Sequence, residues 1–286
     1  MEFFDSHAHY DDARFDDERD KLIEDVYKSG VTRIISAGYS LEGSIKSLEL
    51  SSKYDYIYST VGISPNDLIE RNEVSILEQS ETNLENIEKR YPQIDDKMWK
   101  QNIEKIDELI STHLNSKRIV AVGEIGFDYH YDTDKKIQYE AFSKQIDIAN
   151  KYDLSIVIHT RDAVMDTLTM LKEHPVNKKG VFHCCPLNRE LVKEALKLGF
   201  YISMAGPVTF KNSKNANEII EMCPMDKILI ETDSPYLAPE PVRGTRNDSR
   251  NLKYIAQKIA SVKGWAIEEV AKATYENTMR CFNIDK

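Results

Sequence analysis

Two histidines separated by one residue end the first apolar run of the chain. His7 and His9 follow Phe3 and Phe4. An extended strand points side chains at positions i and i+2 to the same face, so both imidazoles can converge on one metal ion. An H-x-H pair alone is a weak motif, and either histidine could be an ordinary polar residue. The metal hypothesis therefore needs further ligands elsewhere in the chain.

Further candidate ligands stand at the ends of other predicted strands. Glu124, His159 and His183 each end an apolar run, and Asp233 follows another. Four imidazoles and two carboxylates exceed what one tetrahedral ion accepts, whereas two ions that share a carboxylate would use them all. Glu124 lies between the histidine pairs in chain order and is the natural bridge. The predicted ligands are His7, His9, Glu124, His159, His183 and Asp233.

This ligand set predicts hydrolysis chemistry. Two close ions lower the pKa of a shared water and stabilise charge on a substrate oxygen, and Asp233 could also accept a proton from that water. Glu124 and Asp233 are therefore the predicted catalytic residues. Mixed nitrogen and oxygen ligation suits Zn²⁺, Mn²⁺, Ni²⁺ or Fe²⁺ better than a Mg²⁺ site made only of oxygens. The sequence does not choose among Mg²⁺, Mn²⁺, Zn²⁺ and Ni²⁺.

Strands and helices alternate along the whole chain, and they must position these side chains. Eight β-branched or apolar runs, most followed by a helical pattern, favour a single α/β domain over residues 1–286, a (β/α)8 TIM barrel. A doubly wound open sheet is the alternative, but no G-x-G-x-x-G loop follows the first strand. In a TIM barrel the carboxyl ends of the strands form the catalytic face, where the six side chains would meet. A polar stretch at about 70–96 is a possible insertion.

Composition excludes several classes of protein. The chain has 286 residues, 41% hydrophobic and 30% charged, with a formal charge of −10, which argues against coating nucleic acid with the whole surface. No apolar run is long enough for a membrane span, and no secretory signal is recognisable, so we expect a cytoplasmic protein. Four cysteines without regular spacing suggest neither a disulfide framework nor a zinc ribbon.

Five motifs in register resemble the TatD-type metal-dependent hydrolases. They are 4–9 (FDSHAH), 123–128 (GEIGFD), 158–161 (IHTR), 181–184 (VFHC) and 231–237 (ETDSPYL). The resemblance implies a TIM barrel with divalent ions at its mouth and the same six ligands. It also implies deoxyribonuclease activity, typically 3′-to-5′ exonuclease trimming of single-stranded DNA and sometimes RNA. A single-stranded nucleic acid is thus the expected partner.

Basic and aromatic residues near these motifs are candidates for substrate binding. Arg243 and Arg246 concentrate positive charge just after Asp233, and Arg161 lies two residues after His159. A backbone phosphate of the substrate would be held near these positions. The segment that contains Arg243 resembles the family's R-G-x-R-N-E, with Asp248 where glutamate is usual. Tyr236, three residues past Asp233, could stack on an unpaired base.

Two departures from the family pattern leave the substrate open. The usual G-x-H-P-H is here 62–66 (GISPN), and the usual H-C-F-S-G is 183–187 (HCCPL). Neither change removes a predicted ligand, but both alter residues near the substrate. Hydrolysis of another phosphoester, or of an amide, ester or aminoacyl bond, is therefore the alternative. A more remote alternative is a barrel that binds metal without catalysing a reaction.

Overall fold

Eight parallel strands form one sheet in the computed structural model, which describes residues 1–68, 98–131 and 133–285. Each strand pairs with the next one along the chain, from β1 to β8. The strands are β1 (Phe3–Ala8), β2 (Val31–Ala37), β3 (Ile57–Val61), β4 (Ile119–Asp128), β5 (Ser155–Arg161), β6 (Gly180–Phe182), β7 (Tyr201–Met204) and β8 (Ile228–Ile230).

Backbone hydrogen bonds bring the first and last strands together. Asp233 donates its N–H to the carbonyl of His7 at 2.9 Å, and His9 donates to the carbonyl of Ser234 at 2.7 Å. The Asp5 carboxylate also accepts from the backbone and hydroxyl of Thr232, at 3.0 and 2.5 Å. These contacts nearly close the barrel and place the residues after β8 beside the end of β1.

Helices between the strands cover the outside of the barrel. Their inward faces carry buried apolar residues, such as Ile103, Ile106 and Ile110 on one helix, at the 3.6-residue spacing that a helix requires. The described helices are α1 (Arg19–Lys28), α2 (Leu41–Lys53), α3 (Met98–His113), α4 (Lys135–Lys151), α5 (Val164–Glu173), α6 (Arg189–Lys197), α7 (Ala216–Met222), α8 (Leu252–Lys263) and α9 (Ile267–Cys281). The eight predicted strands and the (β/α)8 barrel are confirmed.

The strands are buried on both faces because helices pack outside them and side chains fill the barrel. All ten residues of β4 are buried. This burial explains why the strands are continuous apolar runs without the alternation of a half-exposed sheet. Continuous apolar strands also explain why each polar residue among them was conspicuous in the sequence.

Two strands continue further than the sequence predicts. We expected β4 to end at Glu124 and β5 at His159, but they pair as far as Asp128 and Arg161. Polar side chains at the mouth of the barrel find hydrogen-bond partners there, so a polar residue does not have to be the last residue of its strand. As a consequence, α5 begins at Val164 and not at Arg161.

Glycine at position 126 allows β4 and β5 to approach next to the site. Gly126 pairs with His159, and its φ is +144°. A Cβ at this position would lie 2.0 Å from the His159 carbonyl oxygen. A side chain here would therefore push apart the two strands that carry Glu124 and His159.

The sequence analysis did not predict α7, a short helix between β7 and β8. Its buried residues Ala216, Ile219 and Ile220 are too few to give a clear helical period. The insertion expected at about 70–96 lies outside the described residues, and the single domain over 1–286 stays a prediction. Among the described residues, no helix is long and apolar enough to cross a membrane.

Candidate metal centre

The six predicted ligands meet in one buried site at the carboxyl ends of the strands. His7 lies in β1, and His9 follows its end directly. His7, His9, Glu124 and His183 are each no more than 7% exposed. The His159 and Asp233 side chains are 19% and 13% exposed, so the site opens toward solvent on their side.

The first group of donor atoms comes from β1, β4 and the segment after β8. The Nε2 atoms of His7 and His9 are 3.2 Å apart. Oε2 of Glu124 lies 3.4 Å from His7 Nε2 and 3.9 Å from His9 Nε2. Oδ1 of Asp233 lies 3.7 and 3.1 Å from the same two nitrogens. The donor atoms of His7, His9 and Glu124 all lie within 4.8 Å of one another, and Asp233 lies beside the two histidines.

The second group uses the other oxygen of Glu124. Oε1 lies 2.8 Å from Nδ1 of His159 and 3.4 Å from Nε2 of His183. These two nitrogens are 3.1 Å apart. Glu124 therefore has one oxygen in each group, and its predicted role as a bridge between two ions stays a prediction.

Both groups have the geometry that a metal ion requires. Donors about 2.0–2.1 Å from a tetrahedral ion lie about 3.4 Å from one another. The measured separations bracket this value. The second group supplies three protein donors, which is the arrangement of a catalytic site that keeps one position for water or substrate. The residues present therefore fit the binding of a divalent metal ion.

Hydrogen-bond partners on the far side of the ring fix the orientation of His159 and His9, and a carboxylate lies near the far side of His183. His159 Nε2 lies 3.1 Å from Oδ2 of Asp128, and His9 Nδ1 lies 3.0 Å from the Ala37 carbonyl oxygen. His183 Nδ1 is 3.4 Å from Oε1 of Glu231. An acceptor behind the ring holds the proton there and leaves the opposite nitrogen free to bind a metal.

The two carboxylates of the site are held in their charged form. Burial alone would raise the pKa of Glu124, but the charges of His183 and His159 hold that pKa well below its usual value. Burial likewise opposes ionisation of Asp233, and the hydrogen bond and charge of His9 lower its pKa. Both side chains therefore present negative charge to a bound cation.

The pKa values of His9 and His7 also depart from the usual value of a histidine. Burial lowers the pKa of His9, but the hydrogen bond to Asp233 and the charges of Asp233 and Glu124 outweigh it and raise the pKa to about 9. Burial and the charge of His183 lower the pKa of His7. The site thus gathers opposite charges and donor atoms in a space that excludes most water.

Tyr236 lies at the rim directly above the first group. Its ring centroid is 6.1 Å from that of His9, and its side chain remains 45% exposed. The Arg14 guanidinium lies 4.1 Å from the Tyr236 ring centroid, and the Tyr236 hydroxyl donates to Asp12 at 3.3 Å. The structure therefore brings this predicted substrate-binding residue to the metal centre.

The three predicted phosphate-binding arginines have different surroundings. Arg161 is exposed at the end of β5, with its guanidinium 5.5 Å from the Tyr131 ring centroid, and Arg243 lies 4.0 Å from that of Phe210. Arg246 donates to the Arg14 carbonyl at 2.7 Å and pairs with the Glu18 carboxylate. The guanidinium of Arg246 is thus already engaged by protein groups.

Sequence reasoning assigned no role to Asp128, Glu231 or Asn66. Asp128 ends β4 and Glu231 directly follows β8 in the structure. The predicted β4 ended at Glu124, so the strand-end argument stopped short of Asp128. Asn66 stands where a family histidine is usual, and its amide donates to Asp128 at 2.8 Å. This residue therefore supports the carboxylate that orients His159.

Comparisons with known proteins agree with this fold and show the family of the chain. A family model described as TatD related DNase matches residues 4–283. YabD of Bacillus subtilis, named as an uncharacterized metal-dependent hydrolase, is 37% identical over 284 residues, covering 99% of each chain. YcfH of Escherichia coli, named in the same way, is 43% identical over 169 residues, covering 58% of this chain and 64% of its own.

The fold also resembles that of a solved TatD homologue. The crystal structure of Escherichia coli YjjV superposes with a TM-score of 0.83, covering 99% of this chain and 98% of the other, at 23% identity. That similarity concerns the barrel, whereas the family match rests on the sequence. The chain therefore belongs to the TatD-related DNase family and is a metal-dependent hydrolase.

Proposed function

We propose that this hydrolase is a deoxyribonuclease that removes nucleotides from the 3′ end of single-stranded DNA, using two divalent ions. The family match supports a nucleic acid substrate. The observation that carries the two-ion part is the position of Glu124, whose two oxygens face two separate groups of histidines. We expect His7, His9 and Asp233 to hold one ion, and His159 and His183 the other, with Glu124 shared between them.

The ions would lower the pKa of an attacking water and stabilise the charge that develops on the phosphoryl oxygens. The chain's own residues hold the ions, receive the proton and position the substrate. Each of these tasks has a candidate side chain in the structure.

Asp233 is the best-placed proton acceptor. Its Oδ1 faces His9 and His7, and its side chain is more exposed than that of Glu124, at 13% against 9%. The lowered pKa of Asp233 keeps the carboxylate ready to accept a proton at neutral pH. We therefore assign it two tasks, binding an ion and accepting the proton of the water.

Arg161 and Arg243 are the better candidates for holding phosphate. Both are exposed and lie against aromatic rings, which leaves their N–H groups facing solvent. A guanidinium can donate two parallel hydrogen bonds to a phosphate. Tyr236, next to His9, would stack on the base nearest the bond that is cleaved.

A digestion experiment tests this function. The metal-stripped protein would be incubated with 5′-labelled single-stranded and duplex oligonucleotides, with Mg²⁺, Mn²⁺ or Zn²⁺ added back. We expect a ladder that shortens from the 3′ end of the single strand, only with metal, and no ladder with Glu124→Gln. A 3′-phosphorothioate oligonucleotide is the matched substrate control and should resist cleavage.

DNA left intact with every ion would contradict the nuclease assignment. If metal nevertheless raises the melting temperature of the protein, the site binds metal and the substrate is of another kind. Because Ser64, Asn66 and the segment 185–187 replace the usual family residues near the site, carbonyl substrates such as esters, amides and aminoacyl bonds would be assayed next.

A further inference from the structure

A fully buried carboxylate lies behind the metal centre, on the side away from the proposed ions. Glu231 directly follows β8, and none of its surface is exposed. Its Oε1 accepts the backbone N–H of Cys184 at 2.7 Å and lies 3.4 Å from His183 Nδ1. A buried carboxylate is costly unless other groups satisfy its oxygens, so its second oxygen requires explanation.

That second oxygen and a histidine nitrogen are complementary. Among the residues that the structure describes, Oε2 of Glu231 and Nδ1 of His7 are both buried and have no hydrogen-bond partner. One nitrogen of His7, one of His183 and one oxygen of Glu231 lie within 4.8 Å of one another. Nδ1 of His183 is likewise buried without a hydrogen-bond partner, so two imidazoles that need an acceptor lie near one carboxylate that needs a donor.

The rings of His7 and His183 stack against each other in front of Glu231. Their centroids are 4.1 Å apart and their planes differ by 15°. The Nε2 atoms of His7 and His183 face Oε2 and Oε1 of Glu124, each at 3.4 Å. Their Nδ1 atoms are consequently left for the opposite side.

The position of the proton on each imidazole decides which role Glu231 can fill. A neutral imidazole that gives its Nε2 lone pair to a metal carries its proton on Nδ1. Such a nitrogen cannot bind a further cation, which excludes a third ion between His7, His183 and Glu231 while both rings serve the centre. The arrangement needs an acceptor at this place, and a carboxylate accepts on both oxygens.

We propose that Glu231 is a positioning residue that accepts the Nδ1 protons of both His7 and His183 and so aligns one ligand of each ion. This inference rests on the two-ion centre of the proposed function. Glu124 then connects the two donor groups from the front, and Glu231 connects them from behind. Loss of the Glu231 carboxylate should affect both ions, whereas loss of a partner behind a single ring should affect one.

The test measures metal binding to the full-length protein with Co²⁺, whose visible spectrum reports ligand geometry. Glu231→Gln keeps the size of the side chain but replaces one acceptor oxygen with an N–H donor. We expect both Co²⁺ affinities to fall by about 10- to 100-fold and the absorption spectrum to change. The control is Ser203→Ala, which removes the buried hydrogen bond to Ser6 in the same barrel without touching either imidazole.

Ring-nitrogen NMR of the Zn²⁺-loaded wild type gives a second readout that needs no variant at Glu231. We expect slowly exchanging Nδ1 protons on His7 and His183. His159, which faces Glu124 through Nδ1, should instead carry its proton on Nε2. This pattern remains observable if Glu231→Gln does not fold.

Three outcomes separate the possibilities. If the wild type binds fewer than two ions, the two-ion function itself fails. If the wild type binds two ions but Glu231→Gln binds both as tightly and with the same spectrum, the positioning role is wrong. Fast exchange of the His7 Nδ1 proton, or a third Co²⁺ bound in the wild type, would also overturn it.

Discussion

Asp128 lies directly behind the ring of His159, with its Oδ2 3.1 Å from Nε2, while Nδ1 of the same ring faces Glu124. Asp128 also accepts from the Asn66 amide and from the backbone of His130, at 2.8 and 2.9 Å. The carboxylate is thus fixed from three sides. The orientation of a proposed metal ligand depends on a residue that is not a ligand.

Replacement of Asp128 should weaken one ion selectively. Asp128→Asn removes the negative charge that holds the proton on Nε2 of His159, so we expect metal affinity at the second group to fall by about 10- to 100-fold. Asn66→Ala, which removes only a donor to Asp128, should have a smaller effect in the same direction. Titration of the metal-stripped protein with Mn²⁺ would measure both. Equal loss at both ions would contradict the assignment.

Tyr236 should contribute to substrate affinity through its ring. Tyr236→Ala should weaken binding of a single-stranded oligonucleotide by about 1–3 kcal/mol, the usual value of stacking on one base. Tyr236→Phe keeps the ring and loses a hydrogen bond of 3.3 Å to Asp12, so its effect should be small. In steady-state kinetics the weaker binding should appear as a higher KM. A loss confined to kcat in Tyr236→Ala would point to a role other than stacking.

Arg161 and Arg246 form a matched pair for testing phosphate contacts. Arg161→Ala should reduce the salt dependence of KM by about one unit of log–log slope, as expected for the loss of one phosphate contact. Arg246→Ala should change that slope less, because Arg246 already pairs with Glu18 and with the Arg14 carbonyl. The measurement is KM at several salt concentrations. The reverse order of effects would assign the phosphate contact to Arg246.

The ion pair at the rim predicts a pH-dependent contribution to stability. Hydrogen bonds from Arg14 lower the pKa of Asp12 to about 2, below its value in an unfolded chain. The carboxylate therefore stabilises the fold above about pH 4, and this contribution is lost as the pH falls toward 2. Because the Arg14 side chain is 46% exposed, although that of Asp12 is only 11% exposed, solvent screening limits the contribution to about 1 kcal/mol or less.

Urea unfolding of wild type and Asp12→Asn at pH 7 and pH 3 tests this contribution. The difference in the free energy of unfolding should shrink at the lower pH. Asp147→Asn, which changes an exposed carboxylate on α4, provides the control. A difference for Asp12→Asn that is constant with pH, or that grows on acidification, would contradict the assigned pKa.

The strand pattern of the sequence was sufficient to predict which side chains meet at one end of the barrel. His7, Glu124, His159 and His183 were identifiable because each interrupts a continuous apolar strand, and parallel strands bring their carboxyl ends to one face. The pairing of Asn66 with Asp128, across 62 residues, depends on the approach of the loop after β3 to the end of β4, which has no sequence signature. The engagement of Arg246 by Glu18 was equally hidden, because it joins the last loop of the barrel to the start of α1.

Anomalous diffraction from crystals loaded with Mn²⁺ is the most direct test of the central claim, that Glu124 bridges two ions. We predict two peaks about 3.5–4 Å apart, one contacting His7, His9 and Asp233 and the other contacting His159 and His183, with one oxygen of Glu124 at each. A single peak, or two peaks that do not share Glu124, would contradict the account.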